Sequence, residues 1–135
     1  MDTASKVLVV GGVLNLAYGF LTGFPAAMAR RREPEMPRHL RFAHVGPLMQ
    51  GTMLLGLVFA VELSDLSNGL ETVAAWLLAI GSGVLALGDT LLWLRGTRDS
   101  FAERPPPFGA VVTGGASVVE TVGLGILIVG VFRGL

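Results

Sequence analysis

Three ionisable side chains lie inside long apolar stretches of this sequence, and they are the first candidates for chemistry: His44, Asp89 and Glu120. If these stretches cross a membrane, burying each group costs a few kcal/mol, so each marks a functional hypothesis. A neutral imidazole is also a good ligand for iron. His39, the only other histidine, falls among arginines and is assigned to a loop. One chain is therefore expected to offer one axial ligand to a haem.

Polar neighbours extend two of these positions at helical spacing. One stripe contains Ser82, Ala86, Asp89 and Trp93, and another contains Thr113, Ser117 and Glu120. At 1.5 Å per residue, His44 and Asp89 would lie roughly 5 and 9 Å from the same membrane surface, so they are expected to share one site. The structural alternative is that His44 hydrogen-bonds Asp89 or a backbone carbonyl. Glu120 is expected to pair with a serine, a threonine or Asn15 on another helix.

The composition predicts the elements that carry these residues. The chain is 52% hydrophobic and 15% charged, with a mean hydropathy of +0.67, whereas a soluble domain has about 25% charged residues. The sequence contains four apolar segments, at about residues 7–29, 42–61, 72–94 and 108–132. Each can supply the roughly 20 residues that span a bilayer. We predict an all-α, integral membrane four-helix bundle, with residues 1–135 forming a single domain in the lipid bilayer.

The basic residues are sorted along the chain. The segment 30–41 holds five arginines and 95–104 holds three, while 62–71 holds only acids among its charged residues. The positive-inside tendency then predicts that loops one and three face the cytoplasm and that both termini lie outside, in the cell inner (plasma) membrane. Orientation explains the arginines, so no nucleic-acid partner is expected.

Proline and glycine divide the chain further. Pro25, Pro34 and Pro37 are assigned to the first loop. The run Pro105–Pro107 predicts a fourth helix that begins near Phe108. The residues Gly12, Asn15, Gly19 and Gly23 fall on one face of the first helix, which predicts close helix packing there.

The segment Ala43-His44-Val45-Gly46-Pro47, followed by Gln50 and Gly51, resembles the second-helix motif of the styrene oxide isomerase family. The resemblance implies a homotrimer that binds haem b between protomers through the motif histidine. In that family the ferric iron acts as a Lewis acid on an epoxide oxygen, and a hydride shift yields an aldehyde without net redox change. The implied substrate is a small apolar epoxide.

Transferred to this chain, the resemblance makes His44 the metal ligand. Gly46, Pro47 and Gly51 are the expected cofactor-binding neighbours, with Gly51 leaving room for a flat macrocycle. The arginines of the loops are candidates to pair with the haem propionates.

The remaining motif positions imply the residues that contact substrate. Gln50 stands where the family has asparagine and is expected to contact a substrate oxygen. In one register Asp89 matches an acid of the third helix and the family's tyrosine falls at Thr97. In another register the tyrosine falls at Trp93, and Asp89 no longer matches the acid. Neither Thr97 nor Trp93 is a phenol, although tryptophan donates from its indole N–H. Gln50, Asp89 and Trp93 are the candidate catalytic residues of a possible epoxide isomerase.

Two alternatives without haem remain open from the residues alone. A small proton-coupled carrier would use Glu120 and Asp89 as proton-binding groups. A structural subunit of a membrane complex would use the glycine faces as docking surfaces.

Overall fold

A computed structural model of the protein describes residues 1–32, 34–100 and 104–135. These residues form four α-helices and contain no strand: α1 (Thr3–Arg32), α2 (Arg38–Glu62), α3 (Asn68–Leu94) and α4 (Phe108–Gly134). Each helix is long and apolar enough to cross a membrane. The predicted all-α, four-helix membrane class is confirmed.

The prolines have two different roles in these helices. α4 begins at Phe108, directly after Pro107, because the fixed φ of proline suits a helix start. The assignment of Pro25 to the first loop is wrong, since this residue lies inside α1, which continues to Arg32. A proline removes one backbone donor, and a membrane helix tolerates this loss where neighbouring groups compensate.

The bundle is asymmetric in its contacts. α1 packs against α2 and α3, α4 packs against α3 with a smaller contact to α2, and the described residues of α1 and α4 do not touch. Each helix contributes one buried leucine to a shared core: Leu8, Leu54, Leu78 and Leu127. This core therefore ties all four helices together.

The helices approach most closely where glycines face each other. A Cβ added to Gly51 would lie 2.8 Å from the carbonyl oxygen of Gly12, and one added to Gly12 would lie 3.0 Å from that of Gly51. In the same way, a Cβ on Gly109 would lie 3.0 Å from the carbonyl oxygen of Gly88. Residues without side chains let membrane helices pack this closely, and the prediction for the glycine face of α1 is confirmed at Gly12.

Hydrogen bonds between side chains join α1 to α3. The Asn15 amide donates to the Ser82 hydroxyl over 3.0 Å, and the hydroxyls of Tyr18 and Thr90 lie 2.6 Å apart. Ser82, the first residue of the predicted stripe on α3, therefore faces α1. Asn15 is engaged here and is not the partner of Glu120.

The start of α1 lies outside the apolar segment. Asp2 accepts a hydrogen bond of 2.7 Å from the backbone N–H of Ser5. This bond holds the pKa of the Asp2 carboxyl below its usual value. A carboxylate at this position also interacts favourably with the positive end of the helix dipole.

Candidate functional site

His44 lies in the second turn of α2 and faces α1. Its Nδ1 is 2.8 Å from the carbonyl oxygen of Gly19. A carbonyl can only accept, so Nδ1 carries the proton and the neutral ring keeps its lone pair on Nε2. Of the two structural alternatives, the partner is the backbone carbonyl and not Asp89. Histidines that bind metals are commonly oriented in this way, with the second ring nitrogen donating to a carbonyl.

The imidazole fits into a gap that glycine leaves in α1. A Cβ on Gly23 would lie 3.1 Å from Cε1 of His44 and 3.5 Å from its Nδ1. Four residues earlier in α1, a Cβ on Gly19 would lie 2.6 Å from Cδ2 of Leu48. The pair Gly19 and Gly23 therefore accepts two side chains of α2, and one of them is the candidate ligand.

Pro47 explains a second contact beside the histidine. Proline has no N–H, so the carbonyl of Ala43, four residues earlier in α2, loses its helical donor. The hydroxyl of Thr22 in α1 lies 3.0 Å from this carbonyl oxygen. It also lies 3.0 Å from the carbonyl oxygens of Tyr18 and Gly19, which the N–H groups of α1 already satisfy. Thr22 thus compensates for Pro47 and ties α1 to the residue next to His44.

Thr22→Val should lower the free energy of unfolding by about 1 kcal/mol or more, because the Ala43 carbonyl is left without a donor. Unfolding in mixed detergent micelles measures the change. In a Pro47→Ala background a restored helical N–H serves this carbonyl, so the same substitution should have a smaller effect. Equal losses in the two backgrounds would contradict the assignment.

The other motif glycines have different surroundings. A Cβ on Gly46 would meet nothing within 4 Å, so the space beside it is open. Gly51 faces α1, as His44 does, but it lies against the backbone of Gly12 and Leu16. The room that Gly51 leaves within this chain is therefore occupied by α1.

Gln50 projects toward α4 and away from His44. Its Nε2 donates to Oε2 of Glu120 over 3.2 Å. The expected pairing of Glu120 with Ser, Thr or Asn15 is wrong, because the amide of Gln50 occupies that position. The Oε1 atoms of both side chains are buried without a hydrogen-bond partner among the described residues. Gly81 makes room, since a Cβ there would lie 2.5 Å from Cγ of Glu120.

Asp89 has His39, not His44, as its neighbour. Oδ1 of Asp89 lies 3.7 Å from Nδ1 of His39. The assignment of His39 to a loop is wrong: it lies in the first turn of α2 and is only 5% exposed. α2 begins directly after Pro37, and this turns the histidine inward while Arg38 and Arg41 stay exposed.

Trp93 lies one turn beyond Asp89 on α3. With His39 and Thr97 it lines a cavity where the α1–α2 and α3–α4 connections meet. Trp93 and Thr97 are the two residues that the alternative registers align with the family's tyrosine. Both therefore line this cavity. The chain's one tyrosine, Tyr18, instead lines an apolar groove between α1 and α3.

The predicted site residues therefore form three groups within one chain. His44 lies against α1, Gln50 against Glu120 of α4, and Asp89 with Trp93 lies near His39. From His39 to Gln50 the rise along α2 is about 16 Å. The sequence alone did not identify Thr22 or His39 as site residues. Pro47 indicates that the carbonyl of Ala43 lacks its helical donor, but no local pattern identifies Thr22 as the replacement donor.

Comparison with known proteins gives one match that spans almost the whole chain. A model of the protein family styrene oxide isomerase matches residues 4–135. No curated protein and no solved structure gives a significant match. The matched range includes all four helices and every site residue described above, so the motif around His44 does not stand alone. The chain belongs to the styrene oxide isomerase family.

Proposed function

We propose that this protein binds haem b through Nε2 of His44 and isomerises a small apolar epoxide to an aldehyde. Membership of the styrene oxide isomerase family supports the reaction class. The observation that carries the ligand assignment is the hydrogen bond of 2.8 Å between Nδ1 of His44 and the carbonyl of Gly19. With Nδ1 as the donor, Nε2 is the nitrogen that the neutral ring offers to iron.

The residues around His44 fit a haem. The ring is half-buried, and its orientation is held by Gly19 on one nitrogen and by the gap at Gly23. A ferric haem held there would supply a Lewis acid for the epoxide oxygen. His44 holds the group, and the bond to Gly19 keeps the imidazole in one tautomer while the reaction proceeds.

The polar residues that face away from His44 could surround the same haem if they came from a second copy of the chain. Gln50 lies on the α4 side of α2, and Asp89 and Trp93 lie near the end of the bundle. We propose a homotrimer with the haem between protomers, so that side chains from two copies surround it. The amide N–H of Gln50, which donates to Glu120 within one chain, and the indole N–H of Trp93 are the proposed donors for a substrate oxygen.

The absorption spectrum tests this proposal. Protein purified in detergent with haem supply should show a Soret band that His44→Ala removes. His39→Gln is the matched control, because it removes the other histidine of the chain and should keep the band. A colourless wild type after haem titration, or a band that survives His44→Ala, would overturn the ligand assignment.

Product analysis then tests the reaction. Membranes that contain the wild type should convert an aryl epoxide to the aldehyde, and His44→Ala should convert none above background. If haem-loaded wild type leaves several aryl and alkyl epoxides unchanged, the proposed isomerisation is wrong, while the proposed haem binding still stands.

We also propose that loops one and three face the cytoplasm. The natural chain has no cysteine, so introduced cysteines report position without background. In intact cells, a membrane-impermeant thiol reagent should label Ser67→Cys, in the α2–α3 loop, and should not label Pro34→Cys. Lysis should expose Pro34→Cys to the reagent. The reverse pattern would show the opposite orientation.

A further inference from the structure

A cavity of about 1170 Å³ opens where the α1–α2 and α3–α4 connections meet. Four arginines line it: Arg30, Arg38, Arg41 and Arg98. Glu35 is the one acid among the described lining residues. The cavity therefore concentrates positive charge at the ends of membrane-spanning helices.

These arginines have no carboxylate partner within the described part of the chain. Arg38 and Arg41 lie over the ring of Phe42, with their guanidinium carbons 5.6 and 5.9 Å from its centre. A guanidinium that faces an aromatic ring keeps its N–H donors free at the edge. Orientation by the positive-inside tendency requires basic residues in this loop, but it requires neither a cavity nor their convergence on one.

His39 is the second, independent feature. It lines the same cavity, is only 5% exposed, and neither ring nitrogen makes a hydrogen bond in the described structure. Oδ1 of Asp89 lies 3.7 Å from Nδ1, within ion-pair range but beyond hydrogen-bond distance, so Nε2 is the ring nitrogen without a polar partner among the described residues. A buried polar atom without a partner is costly, and an oxyanion held by the arginines would give Nε2 one.

We propose that this cavity binds a phosphate group, presented either by the headgroup of an anionic phospholipid or as free phosphate. Guanidinium groups match phosphate oxygens with paired N–H donors. Basic pockets between membrane helices are known to take anionic headgroups. His44 does not line this cavity; its ring contacts Gly19 and Gly23 of α1.

Trp93 provides a direct readout because it lines the cavity. The chain has two tryptophans, and Trp76 lies half-exposed on the outer face beside the α1–α3 groove. In Trp76→Phe, emission therefore reports Trp93 alone. Inorganic phosphate is titrated into detergent-solubilised protein at constant ionic strength, with sodium chloride as the reference salt. The same variant is then compared in phosphatidylcholine vesicles with and without phosphatidylglycerol.

A saturable change with phosphate, phosphatidylglycerol or both supports the proposal, and the responding probe identifies the source of the phosphate. Arg38→Gln, Arg98→Gln and His39→Gln should each weaken the response about tenfold. Arg95→Gln is the matched control, because Arg95 is exposed in the same connection but does not line the cavity. It should leave the response within about twofold.

Three results would overturn the proposal. The first is the absence of a response to either probe. The second is an equal weakening of the phosphate response in Arg95→Gln and Arg38→Gln, which would show that the response depends on overall positive charge and not on this cavity. The third is loss of the response in His44→Ala, which would assign the cavity to the haem site. Arg38, Arg95 and Arg98 are all exposed, so unfolding does not confuse the outcomes of these three variants. His39 is buried, so His39→Gln is compared only after its fold is verified by circular dichroism.

Discussion

Gly23→Val should reduce haem occupancy more than tenfold while the four helices still form. A Cβ at this position already lies 3.1 Å from Cε1 of His44, and the two methyl groups of valine extend further toward the ring. The imidazole cannot simply turn away, because its Nδ1 is bonded to Gly19 on the same helix. Displacing Nε2 by even about 1 Å would misplace the proposed ligand, since a binding geometry must be held within about 0.5 Å.

Pyridine haemochrome absorbance per mole of purified protein measures this occupancy. Gly23→Ala should show a smaller loss, since one methyl group needs the ring to move by only a few tenths of an ångström. Gly114→Val is the matched control, because Gly114 is exposed in α4 and a Cβ there meets nothing within 4 Å. Equal haem content in Gly23→Val and Gly114→Val would disprove the proposed packing of the ligand.

Gly51→Ala should be the most destabilising single methyl addition in α2, by about 2 to 3 kcal/mol. The new Cβ would lie 2.8 Å from the carbonyl oxygen of Gly12 and 3.0 Å from the backbone nitrogen of Leu16. Backbone atoms cannot rotate away as a side chain does, so α1 and α2 must separate. That separation also weakens the contacts of Gly19 and Thr22 with α2.

Unfolding in mixed micelles compares this variant with Gly56→Ala, five residues further along α2. A Cβ at Gly56 meets nothing within 4 Å, and alanine is the better helix former by up to about 1 kcal/mol. Gly56→Ala should therefore be neutral or stabilising. A loss of the same size in both variants would mean that the close crossing at Gly51 does not exist.

The helices were predictable because the hydropathy of a membrane span is a local property. The four apolar segments correspond to α1–α4, and the proline run places the start of α4 correctly at Phe108. The loop assignment of His39 failed because it stands among arginines and prolines that are typical of loops. That of Pro25 failed because a proline usually breaks a helix, although this one lies inside the apolar segment 7–29. A helix that begins or ends beyond the apolar segment carries no hydropathy signal at those positions.

The candidate site was predictable in its residues and not in its contacts. The motif around His44 identified the ligand candidate, and it includes Pro47, whose missing N–H implies an unsatisfied carbonyl at Ala43. The donor, Thr22, stands in another helix without any distinguishing pattern. Asp89 was predicted to lie beside His44 only because both were expected at a similar depth in the membrane. Depth follows from the spacing of residues along the helix, but the rotation of one helix relative to its neighbour does not.

Residue types and their order thus define the number of spans, the charge asymmetry of the loops and the family motif. The packing of the helices selects which polar groups meet: His44 with Gly19, Gln50 with Glu120, and Asp89 with His39. The reason is that lipid is as apolar as the outer faces of the helices, so the hydrophobic pattern does not specify which face turns inward. Close glycine contacts and a few hydrogen bonds between helices select that rotation, and they exist only once the bundle has formed.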